Sequence, residues 1–493
     1  MTRARSPRVA IIGAGAAGLC AAIELQRRGV EDFTIFEQSD GVGGTWRHNT
    51  YPGAACDVPS HLYSFLFAPK RDWTRRFPEQ PEILGYFEEI VDRFDLRTRL
   101  RLGTEVSAAV FDDASATWTL TLGDGERVEA DIVISGLGQL NRPHVPALPG
   151  LESFTGTTFH SAQWRHDHDV AGRSVAVVGT GASAIQFVPP VADQAAHLAI
   201  FQRSANWIIP KPDRPIEGWR KRALRDVAFV ERLLRWSIYW RLELNYRLMV
   251  QGSLVGRLIR WRAVPELEKL VSARLPREAL VPDYEPGCKR ILLSNDWYPT
   301  ILRPHVDVVL SPIERVIPDG IVTADGEHHR VDTIIFGTGF RSTEFLAPMT
   351  VTGRGGKDLN QAWADGAEAF LGVAVSGFPN FFMLYGPNTN LGHNSIIFMI
   401  ESQARFIGNA IEHMIAHDLD WIDVRPDVME RFNEALQERA GQTVWATNCS
   451  SWYKNESGRI TNNWPNSSFG YWRRMRRFWP GDFARHRRSA STG

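Results

Sequence analysis

Two glycine-rich turns stand 166 residues apart, Gly13-Ala14-Gly15-Ala16-Ala17-Gly18 and Gly179-Thr180-Gly181-Ala182-Ser183-Ala184. Nineteen positions beyond each is a charged residue, and the two are of opposite sign: Glu37 and Arg203. Glycines at this spacing let backbone N–H groups approach a pyrophosphate, and the dipole of a helix opening there adds to the attraction. A carboxylate at the Glu37 position accepts from a free ribose 2′-OH, as in FAD or NAD, whereas an arginine fork suits the 2′-phosphate of NADP. The pattern predicts two dinucleotide sites, one of them for NADP.

The elements that must position these turns are legible around them. Arg8 to Ile12 reads as a strand, Leu19 to Arg28 as a helix and Phe33 to Glu37 as the next strand, one βαβ unit. The order recurs with Ser174 to Val178, Ala184 to Ala192 and Leu198 to Arg203, where Pro189 and Pro190 predict that the helix ends or bends. Two acid-led apolar strands, Asp131 to Gly138 and Asp332 to Gly339, both end in Gly-x-Gly and read as crossing points between domains. The expected fold is α/β, with one dinucleotide domain inserted in the other: residues 1–150 and 336–493 form the outer domain and 160–335 the inner one. A Trp-, Leu- and Arg-rich stretch at about 217–275 reads as a helical insert covering a cleft, with a membrane-surface helix as the alternative. The aromatics from Trp452 to Trp479 read equally as core or as an apolar pocket wall.

Composition excludes several classes. With 493 residues and zero formal net charge, the chain has room for two domains and no electrostatic footprint for nucleic acid. No apolar run reaches the roughly 18 residues of a membrane span. Four scattered cysteines and fourteen histidines show no metal or CxxC spacing, so no metal is expected and a cytoplasmic location is the default.

Further motifs exceed what a nucleotide fold needs. Gly44-Thr45-Trp46, Tyr51-Pro52-Gly53 and Asp57 resemble the Baeyer-Villiger monooxygenase pattern at every specified position. Phe154, Gly156, His160 and Trp164 resemble that family's second signature, which continues with Pro or Asp where this chain has Arg165. Gly337-Thr338-Gly339 and Gly386-Pro387-Asn388-Thr389-Asn390 extend the resemblance over nearly the whole chain. It implies a class I enzyme of the flavin-containing monooxygenase superfamily that uses FAD, NADPH and O2. Through a C4a-peroxyflavin, such an enzyme inserts oxygen beside a ketone carbonyl to give an ester or lactone, with sulfoxidation as a side activity. A flavin monooxygenase acting on N or S atoms is the alternative.

The resemblance also implies roles. Arg290, in Cys288-Lys289-Arg290, matches the active-site arginine, a cation that cannot lose its proton and would stabilise a peroxyanion and the tetrahedral adduct. Asp57 matches its carboxylate partner; by residue type alone Asp57 reads equally as a loop cap and Arg290 as an ordinary ion-pair member. Lys289 matches a second phosphate contact. Gly44, Thr45, Trp46, Tyr63, Gly339 and Asn388 join the glycine turns as expected cofactor contacts, and His160 and Trp164 read as linker residues coupling domain movement. Seventeen Trp and twenty-six Phe residues permit a bulky apolar substrate, an aryl, cyclic or steroid-like ketone, and no obligate protein partner is evident.

Overall fold

The structure, a computed structural model, describes residues 6–447, 451–455 and 457–487; Cys449 lies outside them. Val9–Ile12, Phe33–Phe36 and Ile132–Ser135 are short apolar runs buried along nearly their whole length. Such strands cannot present a face to water, so they become inner strands of a parallel sheet. The order across this first sheet is Phe381–Met383, Ile132–Ser135, Val9–Ile12, Phe33–Phe36 and Leu100–Arg101. All neighbours are parallel, and Ile12 lies level with both Phe36 and Ser135. Both ends of the chain therefore contribute to one sheet.

The second parallel sheet runs Val306–Val309, His197–Phe201, Ser174–Val178, Thr333–Phe336 and Thr157–His160. All of it falls between the N-terminal and C-terminal contributions to the first sheet, which gives the α/β architecture of one dinucleotide fold inserted in another. Its earliest strand begins at Thr157, three residues ahead of the expected start at 160.

The two acid-led strands do the same local work in each sheet. The Asp131 carboxylate accepts from the backbone N–H of Arg8 at 2.8 Å, and Asp332 accepts from that of Ser174 at 2.9 Å. Each acid thus ties the start of its own strand to the start of the strand that leads into a glycine turn. Each is also preceded by an antiparallel meander that the sequence reading did not anticipate: Val106–Asp112, Thr117–Leu122 and Arg127–Ala130 before Asp131, and Ile313–Ile317, Gly320–Thr323 and His328–Arg330 before Asp332.

The helix Ala184–Ala192 has the expected bounds and carries Pro189 and Pro190 in its last turn. One local expectation is corrected: the strand before Arg203 ends at Phe201, which places Arg203 in the bend that follows. In the insert, Gly218–Asp226, Ala228–Leu244 and Leu254–Glu268 are helical. The C-terminal aromatics divide: Tyr453, Trp464 and Tyr471 are core residues, while Phe469 and Trp479 are exposed.

Candidate functional site

The first glycine turn leaves the carboxyl end of Val9–Ile12 and opens the helix Ala16–Arg27. Gly13 has φ +96°, and a Cβ there would lie 2.9 Å from the Gly136 carbonyl oxygen. Gly179 repeats this with φ +104° and a Cβ position 2.6 Å from the Gly337 carbonyl. In both domains the crossover glycine packs its backbone against the first glycine of the nucleotide turn, and a side chain at either first glycine would force the two apart.

Around the first turn, Gly43 N donates to Ala14 O at 3.0 Å, and Gly44 faces Gly15 closely enough that a Cβ on Gly44 would sit 3.1 Å from the Gly15 Cα. The two glycine segments form one backbone cradle. Glu37 is buried, its carboxylate held by the N–H groups of Ala14 at 2.7 Å and Ser39 at 2.9 Å. Thr45 begins the short helix Thr45–His48, and Trp46 Nε1 donates to the Tyr63 hydroxyl at 2.9 Å. Ser135 Oγ, at the carboxyl end of the strand beside Ile12, and Gln139 Oε1 are buried with no partner among the described residues. These atoms and the cradle fit the polar groups of a bound dinucleotide, which in open parallel sheets lies beyond the carboxyl ends of the strands.

At the second turn Gly181 is exposed, Ser183 is half-buried and Ala184 begins the helix. Thr180 is fixed by Asn206, whose Nδ2 donates to both its carbonyl (2.8 Å) and its hydroxyl (3.1 Å). Arg203 is exposed and makes no ion pair among the described residues. Lys289 donates to Ser204 Oγ at 2.7 Å and lies 4.5 Å from the Tyr284 ring centroid; burial lowers its pKa, and the neighbouring Arg203 charge lowers it further. Asp283 is the acid near Lys289 and acts in the opposite sense, while neither cation is held in an ion pair among the described residues, an arrangement that suits a phosphate.

Arg290 follows Lys289 directly, yet its side chain reaches the other domain. Its Nε and Nη2 both meet Asp57 Oδ2, each at 2.7 Å. Asp57 is the largest cause of a guanidinium pKa raised above the ordinary arginine value, with the buried hydroxyls of Tyr453 and Tyr385 among the other groups around it. The adjacent positions 289 and 290 thus join the second nucleotide turn to the loop that follows the first.

The Tyr51-Pro52-Gly53 loop seats against the inserted domain through Gln186, which sequence reasoning missed. Gln186 Oε1 accepts from Tyr51 OH (3.1 Å) and Ala55 N (3.3 Å), and its Nε2 donates to Ala55 O at 3.0 Å. A Cβ on Gly53 would lie 2.6 Å from the Gln186 carbonyl oxygen. Because Pro190 has no N–H, that carbonyl lacks its usual helical donor four residues on, and it is this carbonyl that Gly53 packs against across the domain boundary. The signal was present in Pro189-Pro190, read only as the place where the helix ends or bends.

His160 is buried at the carboxyl end of its strand, level with Phe336; its Nδ1 accepts from Ala162 N at 3.1 Å, and burial lowers its pKa to about 4. It is neutral at pH 7. Trp164 packs on Phe159 and Phe187, while Arg165, the departure from the family signature, makes an exposed pair with Asp167. Gly339, at φ +79°, accepts from His144 N at 2.9 Å. Asn388 is a structural pin: its Nδ2 donates to the carbonyls of Ile460 and Asn463.

A model of flavin-binding monooxygenase-like proteins matches residues 6–350. The chain belongs to that family. As a flavin-binding monooxygenase-like protein it is a flavoprotein monooxygenase. It is 43% identical over 477 residues to a Baeyer-Villiger monooxygenase of Pseudomonas aeruginosa, covering 96% of this chain and 90% of that one. Among solved structures, an oxidised steroid monooxygenase bound to NADP is 31% identical with a TM-score of 0.86, covering 98% of this chain and all of the other. A complex of OTEMO with FAD and NADP is 27% identical with a TM-score of 0.86 over 98% of this chain.

Proposed function

We propose that this family member is a Baeyer-Villiger monooxygenase that uses FAD, NADPH and O2 to convert a hydrophobic ketone into an ester or lactone. The single observation that carries the reading is the Arg290–Asp57 contact where the two nucleotide domains meet. When bound, FAD supplies the redox and oxygen-activating chemistry, and NADPH the hydride that reduces it. In this reading residues 1–150 and 336–493 form the FAD domain and 160–335 the NADP domain. The cradle of Gly13, Gly15 and Gly44 would hold the FAD pyrophosphate, with Glu37 orienting the ribose. Arg203 and Lys289 would hold the 2′-phosphate of NADPH.

Arg290 performs a task that a titratable base could not. Its charge persists at any working pH, so an oxyanion forming on the substrate carbonyl is stabilised with no proton transferred. Asp57 takes the Nε–Nη2 edge and sets the plane of the guanidinium, leaving the opposite edge for that oxyanion. With its pKa lowered to about 4 by burial, His160 is too weak a base to hold a proton near neutral pH, and its role in this reading is to position backbone at the domain boundary.

The test is NADPH and O2 consumption across aryl, cyclic and steroid-like ketones, with product identified by mass. Ester or lactone formation matching NADPH consumption is expected. Hydrogen peroxide as the sole product across the panel rejects the reading.

A further inference from the structure

The helix Ala228–Leu244 is amphipathic in the wrong sense for water. Phe229, Leu233, Trp236, Trp240 and Leu244 recur at spacings of three and four and share one face. Phe229, Leu233, Trp236 and Leu244 are 71%, 53%, 62% and 57% exposed. The opposite face turns Glu231, Arg235 and Ile238 inward, and there Arg235 donates to His61 O, Ser64 Oγ and Ser64 O. Globular helices ordinarily bury the apolar face and solvate the charges.

The apolar face continues beyond this helix. Trp236 meets Trp240 at 6.3 Å between ring centroids, Trp240 meets Phe469 at 5.4 Å, and Phe469 stacks on Trp472 at 5.4 Å, where the Arg476 guanidinium lies 4.9 Å from the ring. A second exposed stripe, Leu254, Leu258 and Trp261, repeats the spacing on the helix Leu254–Glu268. Contiguous exposed apolar surface of this kind marks an interaction site.

Charge identifies the partner. Between residues 217 and 275 there are 13 Lys and Arg against 6 Asp and Glu, in a chain whose total is balanced. Helical periodicity places Arg232 and Arg241 on opposite flanks of the apolar face, both exposed. A second copy of the chain would set this basic rim against itself across a two-fold axis, like charge against like. An anionic lipid surface accepts both features: acyl chains take Phe229, Leu233 and Leu244, the indoles lie at headgroup level, and phosphates meet the arginines. No described helix is long and apolar enough to cross a membrane, so the contact is parallel to the surface.

We propose that the insert face formed by Ala228–Leu244 with Phe469 and Trp472 docks this enzyme on anionic bilayers. The test is co-sedimentation of the full FAD-loaded chain with vesicles of phosphatidylcholine alone or of equal parts phosphatidylcholine and phosphatidylglycerol. Binding to the mixed vesicles only, weakened by added salt and accompanied by a blue shift of tryptophan emission, is expected. Leu233→Ser with Trp236→Ser should lower the partition at least about tenfold while leaving NADPH oxidation in solution and thermal unfolding unchanged. Absence of binding to anionic vesicles overturns the proposal, as does undiminished binding by the double variant. A wild-type dimer that the same substitutions dissociate would also overturn it, because the face would then pair with a second copy.

Discussion

Arg290 and Asp57 are 233 residues apart in the chain, yet Nε and Nη2 of the arginine converge on a single carboxylate oxygen at 2.7 Å each. The carboxylate thereby locks one edge of the guanidinium, and the other edge takes no hydrogen bond among the described residues. The pair spans the two nucleotide domains, so the position of the cation depends on how those domains meet.

If this cation stabilises an oxyanion, its removal should separate two half-reactions. Arg290→Ala should lower ester formation by at least about 100-fold while anaerobic bleaching of the flavin by NADPH stays within about threefold. Asp57→Ala should fall between wild type and Arg290→Ala, with partial recovery in Asp57→Glu. Full ester yield in Arg290→Ala would remove the arginine from the mechanism.

Arg203 and Lys289 supply adjacent positive charge where the second nucleotide turn opens. Arg203→Ala should raise KM for NADPH about tenfold with kcat nearly unchanged, the signature of lost uniform binding. The double variant with Lys289→Ala should prefer NADPH over NADH little or not at all. A preference retained in the double variant would place the 2′-phosphate elsewhere.

Burial lowers the pKa of both His61 and His160 to about 4, with the Arg235 charge adding to the effect at His61. Free histidine titrates near 6.5, so between these values the unfolded chain binds more protons than the folded one. The contribution of these two histidines should therefore be complete above about pH 6.5 and fall as pH drops towards 4, by up to about 3 kcal/mol for each, while buried Glu401 and Asp423, raised to about 7 and about 6, act in the opposite sense over the same window. Denaturant midpoints measured across this window check the slope. His160→Gln, if it folds, should make stability rise less steeply with pH than in the wild type, and an unchanged slope would remove His160 from the acid sensitivity.

Gly53 and Gln186 seal the domain boundary. Gly53 sits at φ +79° with no room for a Cβ against the Gln186 carbonyl. Gly53→Ala should destabilise by about 1–3 kcal/mol through strain and displacement of the loop. Gln186→Ala, which removes three hydrogen bonds between loop and helix, should lower kcat more than it lowers FAD retention. Thermal unfolding and steady-state kinetics read the two effects, and a Gly53→Ala protein with wild-type stability and turnover would show that the loop tolerates a side chain.

By itself the sequence determined the two glycine turns, the strands and helices flanking them, and the crossing strands at Asp131 and Asp332. These are local: a buried strand, a glycine with positive φ and a helix start are encoded within a few neighbouring residues. It also marked Asp57, Lys289 and Arg290 as candidates and, through the family resemblance, paired Asp57 with Arg290, while residue type alone left both as ordinary loop or ion-pair residues. Tertiary structure decided that Lys289 turns to Ser204, that Arg290 meets Asp57 through Nε and Nη2 on one carboxylate oxygen, that Gln186 and Asn206 support the two nucleotide regions, and that Asn388 pins backbone. It decided too that the insert helix buries Glu231 and Arg235 and exposes Phe229 and Trp236. The periodic pattern locates the two faces of that helix, but only packing against His61 and Ser64 settles which one turns inward, because their carbonyls supply acceptors that make burial of a charged face tolerable.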